Sequence, residues 1–228
     1  VRSASVLRMQ NTACVNNMAI FGACSALQEA DGTCSQFGHG GCLEASGAGE
    51  IKINWGVIAN NSASNGNGGA IRSALSEMTI DDSTIKFNTA KEGGGLYMSS
   101  SDSATRVQST AFEGNTATDG PGGAFRALGH SPSFGNVRFI RNTAGENSAG
   151  GAGYVDVSTS VAQFVGSYNI FVDNTPAGTD ASARPCPTGS FAGGVQSSSS
   201  ICADCPVYTV APTVASIECQ PCGSGSIA

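Results

Sequence analysis

The chain has 228 residues, and only 12% of them are charged, against roughly a quarter in a typical globular protein. Its net charge of −6 argues against a basic surface for nucleic acid or an anionic membrane. The apolar residues neither form a run of about 18, as a membrane span needs, nor keep helical spacing over several turns. We therefore expect one or two domains built from strands and turns.

Nine cysteines lie near the two ends of the chain. They are Cys14, Cys24, Cys34 and Cys42 at one end, and Cys186, Cys202, Cys205, Cys219 and Cys222 at the other. Such clusters in a Gly- and Ser-rich chain predict disulfide bonds and an oxidising, extracellular compartment. Pairing within the first group could follow any of three patterns. The odd total predicts a partner for Cys222 beyond Ala228, as in a segment of a longer secreted protein.

From residue 40 onward two motifs recur at an almost constant interval. One is a double glycine before a small or apolar residue, beginning at Gly40, Gly68, Gly94, Gly122 and Gly150. The other is an apolar residue three places before an asparagine, in the pairs Ile58/Asn61, Ile85/Asn88, Phe112/Asn115, Phe139/Asn142 and Phe171/Asn174. The first four of these asparagines are 27 residues apart. A period of this length predicts stacked repeats that bury their apolar faces against one another.

Aligning the repeats on the asparagines puts residues of like character into columns. Eight positions earlier lie Ile53, Ile80, Val107 and Phe134, and two positions after the glycine pairs lie Leu43, Ile71, Tyr97 and Phe125, with Gly153 breaking the series. A parallel β-helix has this property, because each strand lies about 4.8 Å from the matching strand of the next coil. A β-sandwich with glycine turns is the alternative, but its strands would not repeat at this period.

The asparagines and glycines of the motifs are predicted to form the corners of the coils. Asparagine tolerates a left-handed backbone, and stacked asparagines can hydrogen-bond along a ladder. Glycine allows positive φ angles at a second corner. The residues assigned to these roles are Asn61, Asn88, Asn115, Asn142 and Asn174, with Gly69, Gly95, Gly123 and Gly151.

The repeats resemble those of the polymorphic outer-membrane proteins, in which an FxxN motif alternates with GGA and an apolar residue. Copies here include Phe112-Glu113-Gly114-Asn115 and Gly68-Gly69-Ala70-Ile71, and the resemblance covers about residues 40–176, after a degenerate coil at Cys14–Ala19. It implies a right-handed parallel β-helix, as in bacterial surface proteins and large extracellular proteins of protists and algae. Residues 1–183 would form about six coils, with 20–39 as a disulfide-pinned insertion that covers the strand edge.

From Arg184 the composition changes to that of a small disulfide module. The segments Cys186-Pro187-Thr188-Gly189-Ser190-Phe191, Cys202-x-x-Cys205-Pro206 and Cys219-x-x-Cys222 resemble the Cys-rich repeats of ephrin-receptor and TNF-receptor type. The resemblance implies a stalk at residues 184–228, incomplete at its C-terminus and held by the pairs Cys186–Cys202 and Cys205–Cys219. A zinc ribbon is the alternative, because the spacing of the two C-x2-C pairs also suits zinc ligands.

Candidate sites outside the repeat motifs are few. Glu92, Asp119 and Glu146 each follow a ladder asparagine by four residues, with Asn65 at that place in the coil before. Carboxylates stacked about 4.8 Å apart would repel unless a cation such as Ca²⁺ lay between them, and solvated side chains are the alternative. Asn60 begins the sequence Asn60-Asn61-Ser62, a candidate N-glycosylation site.

Other side chains give weaker indications of chemistry. Trp55 and Tyr97 could stack on sugars or pack at an edge. Pectin-lyase-like enzymes gather several charged side chains on one outer face, whereas Asp81 and Asp82 adjoin and should point to opposite sides of a strand. His39 and His130 belong to different segments.

The sequence therefore predicts a non-catalytic extracellular scaffold, adhesive or filament-forming, as in a flagellar hair. We expect no cofactor apart from the calcium, and partners that are other copies, other subunits or glycans. A glycan- or protein-binding module on one coil face is the second interpretation, and a carbohydrate-active enzyme is the third.

Overall fold

The computed structural model describes residues 5–18, 40–46, 49–74, 77–99, 104–129, 131–146, 148, 150–156, 162–165 and 169–175, and five short strands between residues 190 and 221. Every element assigned within these ranges is a strand or an isolated bridge.

Four parallel sheets contain most of the strands. Sheet A consists of β1 (Ser5–Gln10), β4 (Gly49–Asn54), β8 (Glu77–Asp81), β12 (Thr105–Gln108), β16 (Ser133–Gly135) and β19 (Gln163–Val165). Sheet B consists of β2 (Ala13–Val15), β5 (Val57–Ala59), β9 (Thr84–Lys86), β13 (Ala111–Glu113), β17 (Arg138–Ile140) and β20 (Ile170–Val172). Sheet C consists of β6 (Ser62–Asn67), β10 (Thr89–Glu92) and β14 (Thr116–Ala117). Sheet D consists of β3 (Leu43–Ser46), β7 (Ile71–Ala74), β11 (Leu96–Ser99), β15 (Phe125–Leu128), β18 (Gly153–Asp156) and β22 (Val195–Ser197).

The chain visits these sheets in turn, so that each strand pairs with its counterparts one turn earlier and one turn later. About four complete turns lie between the glycine pairs at Gly41 and Gly151, with strands of further turns at both ends. The predicted all-β, parallel, solenoidal architecture is confirmed.

Inward-pointing side chains form the predicted apolar columns. One register position on four successive strands of sheet A is occupied by completely buried side chains, those of Ile53, Ile80, Val107 and Phe134. In sheet B the rings of Phe112, Phe139 and Phe171 stack with centroids 5.1 Å apart at both steps. Each side chain of a column therefore packs on its counterpart in the next turn, and the apolar core is continuous along the axis of the solenoid.

In the third glycine motif, the structure corrects the predicted register by one residue. Leu96, and not Tyr97, pairs with Ile71 and Phe125 in sheet D. The positive φ angle belongs to Gly93, three residues before Leu96, so the glycine pair of this turn is Gly93-Gly94. In every pair the positive φ belongs to the first glycine, so the predicted corner positions Gly69, Gly123 and Gly151 are one residue late. Gly95 is two residues late, because the run of three glycines allowed two alignments.

Gly153 interrupts the sheet D column for a steric reason. It follows Leu43, Ile71, Leu96 and Phe125 in that column. A Cβ atom built on Gly153 would lie 2.1 Å from the Phe125 ring. The ring thus occupies the space that a fifth apolar side chain would need.

Left-handed backbone occurs at the corner between sheets B and C, but one residue earlier than predicted. The residue before each ladder asparagine has positive φ, with 54° at Asn60, 54° at Phe87 and 51° at Arg141. A second left-handed corner joins sheets A and B, at Asn11, Trp55, Asp82, Ser109 and Asn136. The ladder asparagines themselves are therefore selected for side-chain hydrogen bonding and not for backbone conformation.

The structure contains the degenerate coil predicted before residue 20 and joins it to the first glycine motif. Cys14 lies opposite Ile58 in sheet B, at the position of the motif's apolar residue. A disulfide bond connects it to Cys42, with the two Cα atoms 6.0 Å apart. Of the three pairing patterns, only the one that also joins Cys24 to Cys34 is compatible with this bond. Those two cysteines and the rest of residues 20–39 lie outside the described residues.

Little of the predicted stalk is described. Its short strands form two antiparallel pairs, β21 (Ser190–Phe191) with β23 (Ala203–Asp204) and β24 (Thr209–Val210) with β25 (Gln220–Pro221). Strand β22 instead pairs in parallel with β18, so sheet D continues past the predicted boundary at residue 183. The five cysteines of this segment lie outside the described residues, and their pairing stays a prediction.

Candidate functional site

The most extensive polar feature of the solenoid is a column of buried asparagines at the corner between sheets B and C. Each side-chain amide donates to the carbonyl oxygen of the next, from Asn17 through Asn61, Asn88, Asn115 and Asn142 to Asn174, with N–O distances of 2.9 to 3.0 Å. Asn88, Asn115 and Asn142 are completely buried. The predicted ladder is confirmed, and Asn17 extends it one turn further towards the N-terminus than the sequence motif predicts.

The inner members of this ladder make four side-chain hydrogen bonds each. In Asn115, Oδ1 accepts from the backbone N–H and the side-chain amide of Asn88. Its Nδ2 donates to the backbone oxygen of Ile85 and to Oδ1 of Asn142. An asparagine side chain has two donor hydrogens and one acceptor oxygen with two lone pairs, so all of its capacity is used. All these amide dipoles point the same way along the axis, and such chains of bonds strengthen one another.

Next to the ladder, the second glycine of each pair allows neighbouring turns to approach closely. A Cβ atom on Gly69 would lie 2.2 Å from the backbone oxygen of Gly94, and one on Gly123 would lie 2.2 Å from that of Gly151. These distances are far below any van der Waals contact, so a side chain at these positions would push the turns apart. The glycines and asparagines therefore act together to hold one edge of the solenoid.

A second column of side-chain hydrogen bonds lies at the corner between sheets A and B. Oγ of Ser83 accepts from the backbone N–H of Gly56 one turn earlier and donates to the backbone oxygen of Asp81. Oγ1 of Thr110 donates to the backbone oxygen of Gln108 in the same way. The sequence analysis missed this column. Its signal in the sequence is a small polar residue directly before each strand of sheet B. The signal is weak because Gly56 and Val137 occupy two of these positions.

The outer face of sheet D carries a cluster of charged and aromatic side chains that the sequence analysis also missed. The same register position on four successive strands of this face holds Glu44, Arg72, Tyr97 and Arg126. Arg72 forms an ion pair with Glu44 at 2.5 Å, and the Arg126 guanidinium lies 5.8 Å from the centre of the Tyr97 ring. Tyr97 is only 7% exposed, so its ring packs between neighbours and does not present an open platform for a sugar.

The three carboxylates proposed as a calcium site do not continue one straight column. Glu92 forms an ion pair with Arg126 and lies opposite Asn67, not Asn65, because the pairing of β10 with β6 shifts after Ala90. Asp119 and Glu146 are exposed on the following turns. In the part of the chain that is described, no three His, Cys, Asp or Glu side chains are grouped as a metal site requires. The calcium interpretation stays a prediction, which a melting curve in EDTA would test.

The remaining candidates are distributed over the surface. Asn60 lies exposed at a left-handed corner, where its side chain points away from the core. Trp55 is 53% exposed at the other corner of the same turn. Asp82 is exposed and Asp81 is half-buried, so the structure does not bring two carboxylates together on one face there. His39 and His130 lie outside the described residues.

Comparison with protein-family models, with curated proteins and with solved structures found no match for this chain. Within the described ranges no helix is long and apolar enough to cross a membrane.

Proposed function

We propose that this chain is a non-catalytic structural segment of a larger extracellular protein, in which a rigid β-solenoid separates or joins other parts of an assembly. The observation that carries the proposal is the unbroken asparagine ladder from Asn17 to Asn174. It lies beside a core in which 22 buried residues of the described ranges form one cluster. This arrangement uses the polar groups of the motif for internal bonding and leaves none of those asparagines to act on a substrate.

The finer architecture belongs to the same proposal. We infer right-handed winding, because crossover connections between parallel strands almost always have that hand. About six coils would span roughly 25–30 Å along the axis at one strand spacing per coil. The Cys-rich stalk would continue the rod beyond β22, which still belongs to sheet D. The Cys14–Cys42 disulfide supports an oxidising, extracellular location, because such bonds are rare in reducing compartments.

Localisation on cells tests the scaffold role. An antibody against residues 40–175 should label intact cells of the source organism, or filaments released from them, and external protease should remove that label. Labelling that requires permeabilised cells would contradict the proposal. The purified protein should also release no products from polygalacturonate or other acidic polysaccharides, and turnover of such a polymer would favour the enzyme instead.

A second function is supported by the outer face of sheet D. The charged side chains of Glu44, Arg72 and Arg126 supply hydrogen-bond donors and acceptors on this one face, as polar polymers and proteins require of a binding surface. If this face binds glycans, the Arg72→Ala variant should lose signal on a glycan array while Lys52→Ala, on sheet A, keeps it. Equal binding by both variants, or no binding by the wild type, would rule out this second function and leave only the scaffold role.

A further inference from the structure

Asn60 combines a glycosylation sequence with an exposed corner of the solenoid. Asn60-Asn61-Ser62 is the only Asn-x-Ser/Thr sequence of the chain. Asn60 is exposed at the corner between sheets B and C, with φ at 54°. Asn61, directly after it, is 1% exposed because it belongs to the ladder. The fold therefore directs the first residue of this sequence outward and the second inward.

The same corner position recurs one residue before each ladder asparagine. All of its occupants have positive φ, and they are Asn16, Asn60, Phe87, Gly114, Arg141 and Asp173. Asparagine, aspartate and glycine tolerate this backbone, whereas bulky residues adopt it rarely. Arg141 forms an ion pair with Glu113 of the preceding turn. Phe87 is the bulkiest occupant of this corner, and its side chain is 49% exposed.

Phe87 lies one turn after Asn60. The ladder asparagines that follow them, Asn88 and Asn61, are hydrogen-bonded to each other. Asn60 and Phe87 are therefore neighbours along the solenoid axis, about 4.8 Å apart in the backbone. An exposed apolar ring thus stands next to the asparagine of the glycosylation sequence.

The partners of the Phe87 ring on this chain leave half of its surface uncovered. The ring lies against Gly114 of the following turn, where an added Cβ would be 2.7 Å from two ring atoms. The ammonium group of Lys86 lies 5.9 Å from the ring centre. A bulky residue with left-handed backbone is strained, and its exposed apolar surface gains nothing from burial. A group that covered the ring would recover part of that cost.

We propose that Asn60 carries an N-linked glycan whose first sugar packs against the exposed ring of Phe87. The donor is an oligosaccharide linked through a diphosphate to an isoprenoid lipid. Nδ2 of Asn60 bonds to C1 of the first sugar and loses one proton. The bond between C1 and the diphosphate oxygen breaks, and the lipid diphosphate leaves with that electron pair. The C–H groups on one face of a sugar ring are apolar, so they fit an aromatic ring and remove it from water.

Transfer of the oligosaccharide has to precede the folding of this turn. In the folded chain, Oδ1 of Asn61 accepts from the backbone N–H and the side-chain amide of Asn17. Its Nδ2 donates to the backbone oxygen of Cys14 and to Oδ1 of Asn88. A transferase that binds the three residues of the sequence as an extended segment has no access to this buried middle residue. The finished glycan projects from the corner and leaves the ladder intact.

The glycan presupposes the proposed extracellular role, because its donor meets only chains that enter the secretory route. Its presence is measured by the intact mass of protein released from the surface of source cells, before and after treatment with peptide N-glycosidase. We expect one oligosaccharide, which the treatment removes. An unmodified Asn60 in protein from the cell surface would overturn the glycan and leave the scaffold role standing. Protein found only inside the cell would contradict both.

Variants secreted from a eukaryotic host that performs N-glycosylation locate the site. Asn60→Gln and Ser62→Ala should both lack the oligosaccharide, and Ser62→Thr should keep it, because the sequence requires a hydroxyl at this position. Asn65→Gln, on the strand that follows the corner, is the matched control and should be modified like the wild type. An oligosaccharide on Asn60→Gln would place the sugar elsewhere and contradict the assignment.

Thermal unfolding tests the contact with Phe87. Enzymatic removal of the glycan should lower the Tm of the wild type, and Phe87→Gly should lose this shift, since glycine tolerates the left-handed corner. Phe87→Tyr should keep the shift. Arg141→Gly, at the same corner two turns after Phe87, should also keep it. Equal shifts in the wild type and in Phe87→Gly would overturn the packing of the sugar on the ring.

Discussion

At the scale of single residues, two residue types, asparagine and glycine, hold the solenoid together by opposite means. The asparagine is kept for its full set of hydrogen bonds, since its amide satisfies buried groups on the turns before and after it. The second glycine is kept because it has no side chain, and the next turn occupies the space where a Cβ would lie. Both roles depend on contact between turns, so a substitution at either residue should also destabilise the neighbouring turns.

Replacement of a ladder asparagine should be severe. Asn115→Ala removes four hydrogen bonds and leaves buried donors and acceptors of Asn88, Ile85 and Asn142 without their partners. We expect a loss of about 3–5 kcal/mol in the free energy of unfolding, measured by urea denaturation. Asn65→Ala, at an exposed position outside the ladder, should cost less than about 0.5 kcal/mol. Similar losses for the two variants would show that the ladder adds no stability.

A pair of glycine variants separates steric exclusion from backbone strain. Gly123→Ala would put a Cβ 2.2 Å from the backbone oxygen of Gly151, whereas an added Cβ on Gly129 meets nothing within 4 Å although φ there is +61°. Gly129→Ala should therefore cost about 1–2 kcal/mol through the left-handed backbone alone. Gly123→Ala should cost clearly more, or prevent folding, in the same denaturation experiment. Equal costs would contradict the close approach of the turns.

At the scale of elements, the solenoid consists of strands too short to be stable alone. Those of sheet B have three residues each, and only the middle one points inward. Their stability comes from stacking, as in the column of Phe112, Phe139 and Phe171, and from the bonded corners on both sides. The first strand of the column has Cys14 in place of a large apolar residue. Its disulfide bond to Cys42 closes the first turn on itself, since the two cysteines lie opposite Ile58 and Ala70 of the same following turn.

Loss of this disulfide should weaken the N-terminal turn. Cys14 and Cys42 are 28 residues apart, and closing a loop of that length is worth about 3–4 kcal/mol in the chain-entropy description. The double variant Cys14→Ser/Cys42→Ser should lose about that much in thermal or urea unfolding. Reductant should then lower the stability of the wild type more than that of the variant. A variant as stable as the wild type would mean that the bond does not constrain the fold.

At the scale of the whole molecule, each turn contacts only the turns next to it, so stability is close to a sum over neighbouring pairs. Inner turns have neighbours on both sides. The described strands of the first and last turns have a partner strand on one side in sheets A and B. The molecule is therefore a one-dimensional stack whose sides are repetitive faces, which suits a rod that is contacted along its length.

Hydrogen exchange should reveal this one-dimensional character. Amides of β9 and β13, in the middle of sheet B, should exchange by near-global opening, while those of β2 and β20 at its ends should exchange through local fraying at lower free energy. Mass spectrometry of peptic peptides or NMR would measure the gradient. Uniform protection from β2 to β20 would indicate a single cooperative unit instead of a stack.

The sequence by itself determined the architecture, because a period of 27 residues places Ile80, Val107 and Phe134 over one another in any parallel stack and sets the asparagines in a row. Only the tertiary structure decided where the period slips. The run Gly93-Gly94-Gly95 is compatible with two registers, and the packing of Leu96 against Ile71 and Phe125 selects one of them. The same holds for Glu92, whose partner Arg126 is 34 positions away and depends on that register. A repeat determines which turns are neighbours. The residues that meet between two turns also depend on local insertions, and the register at an insertion depends on steric fit between side chains, which a pattern of single residues does not encode.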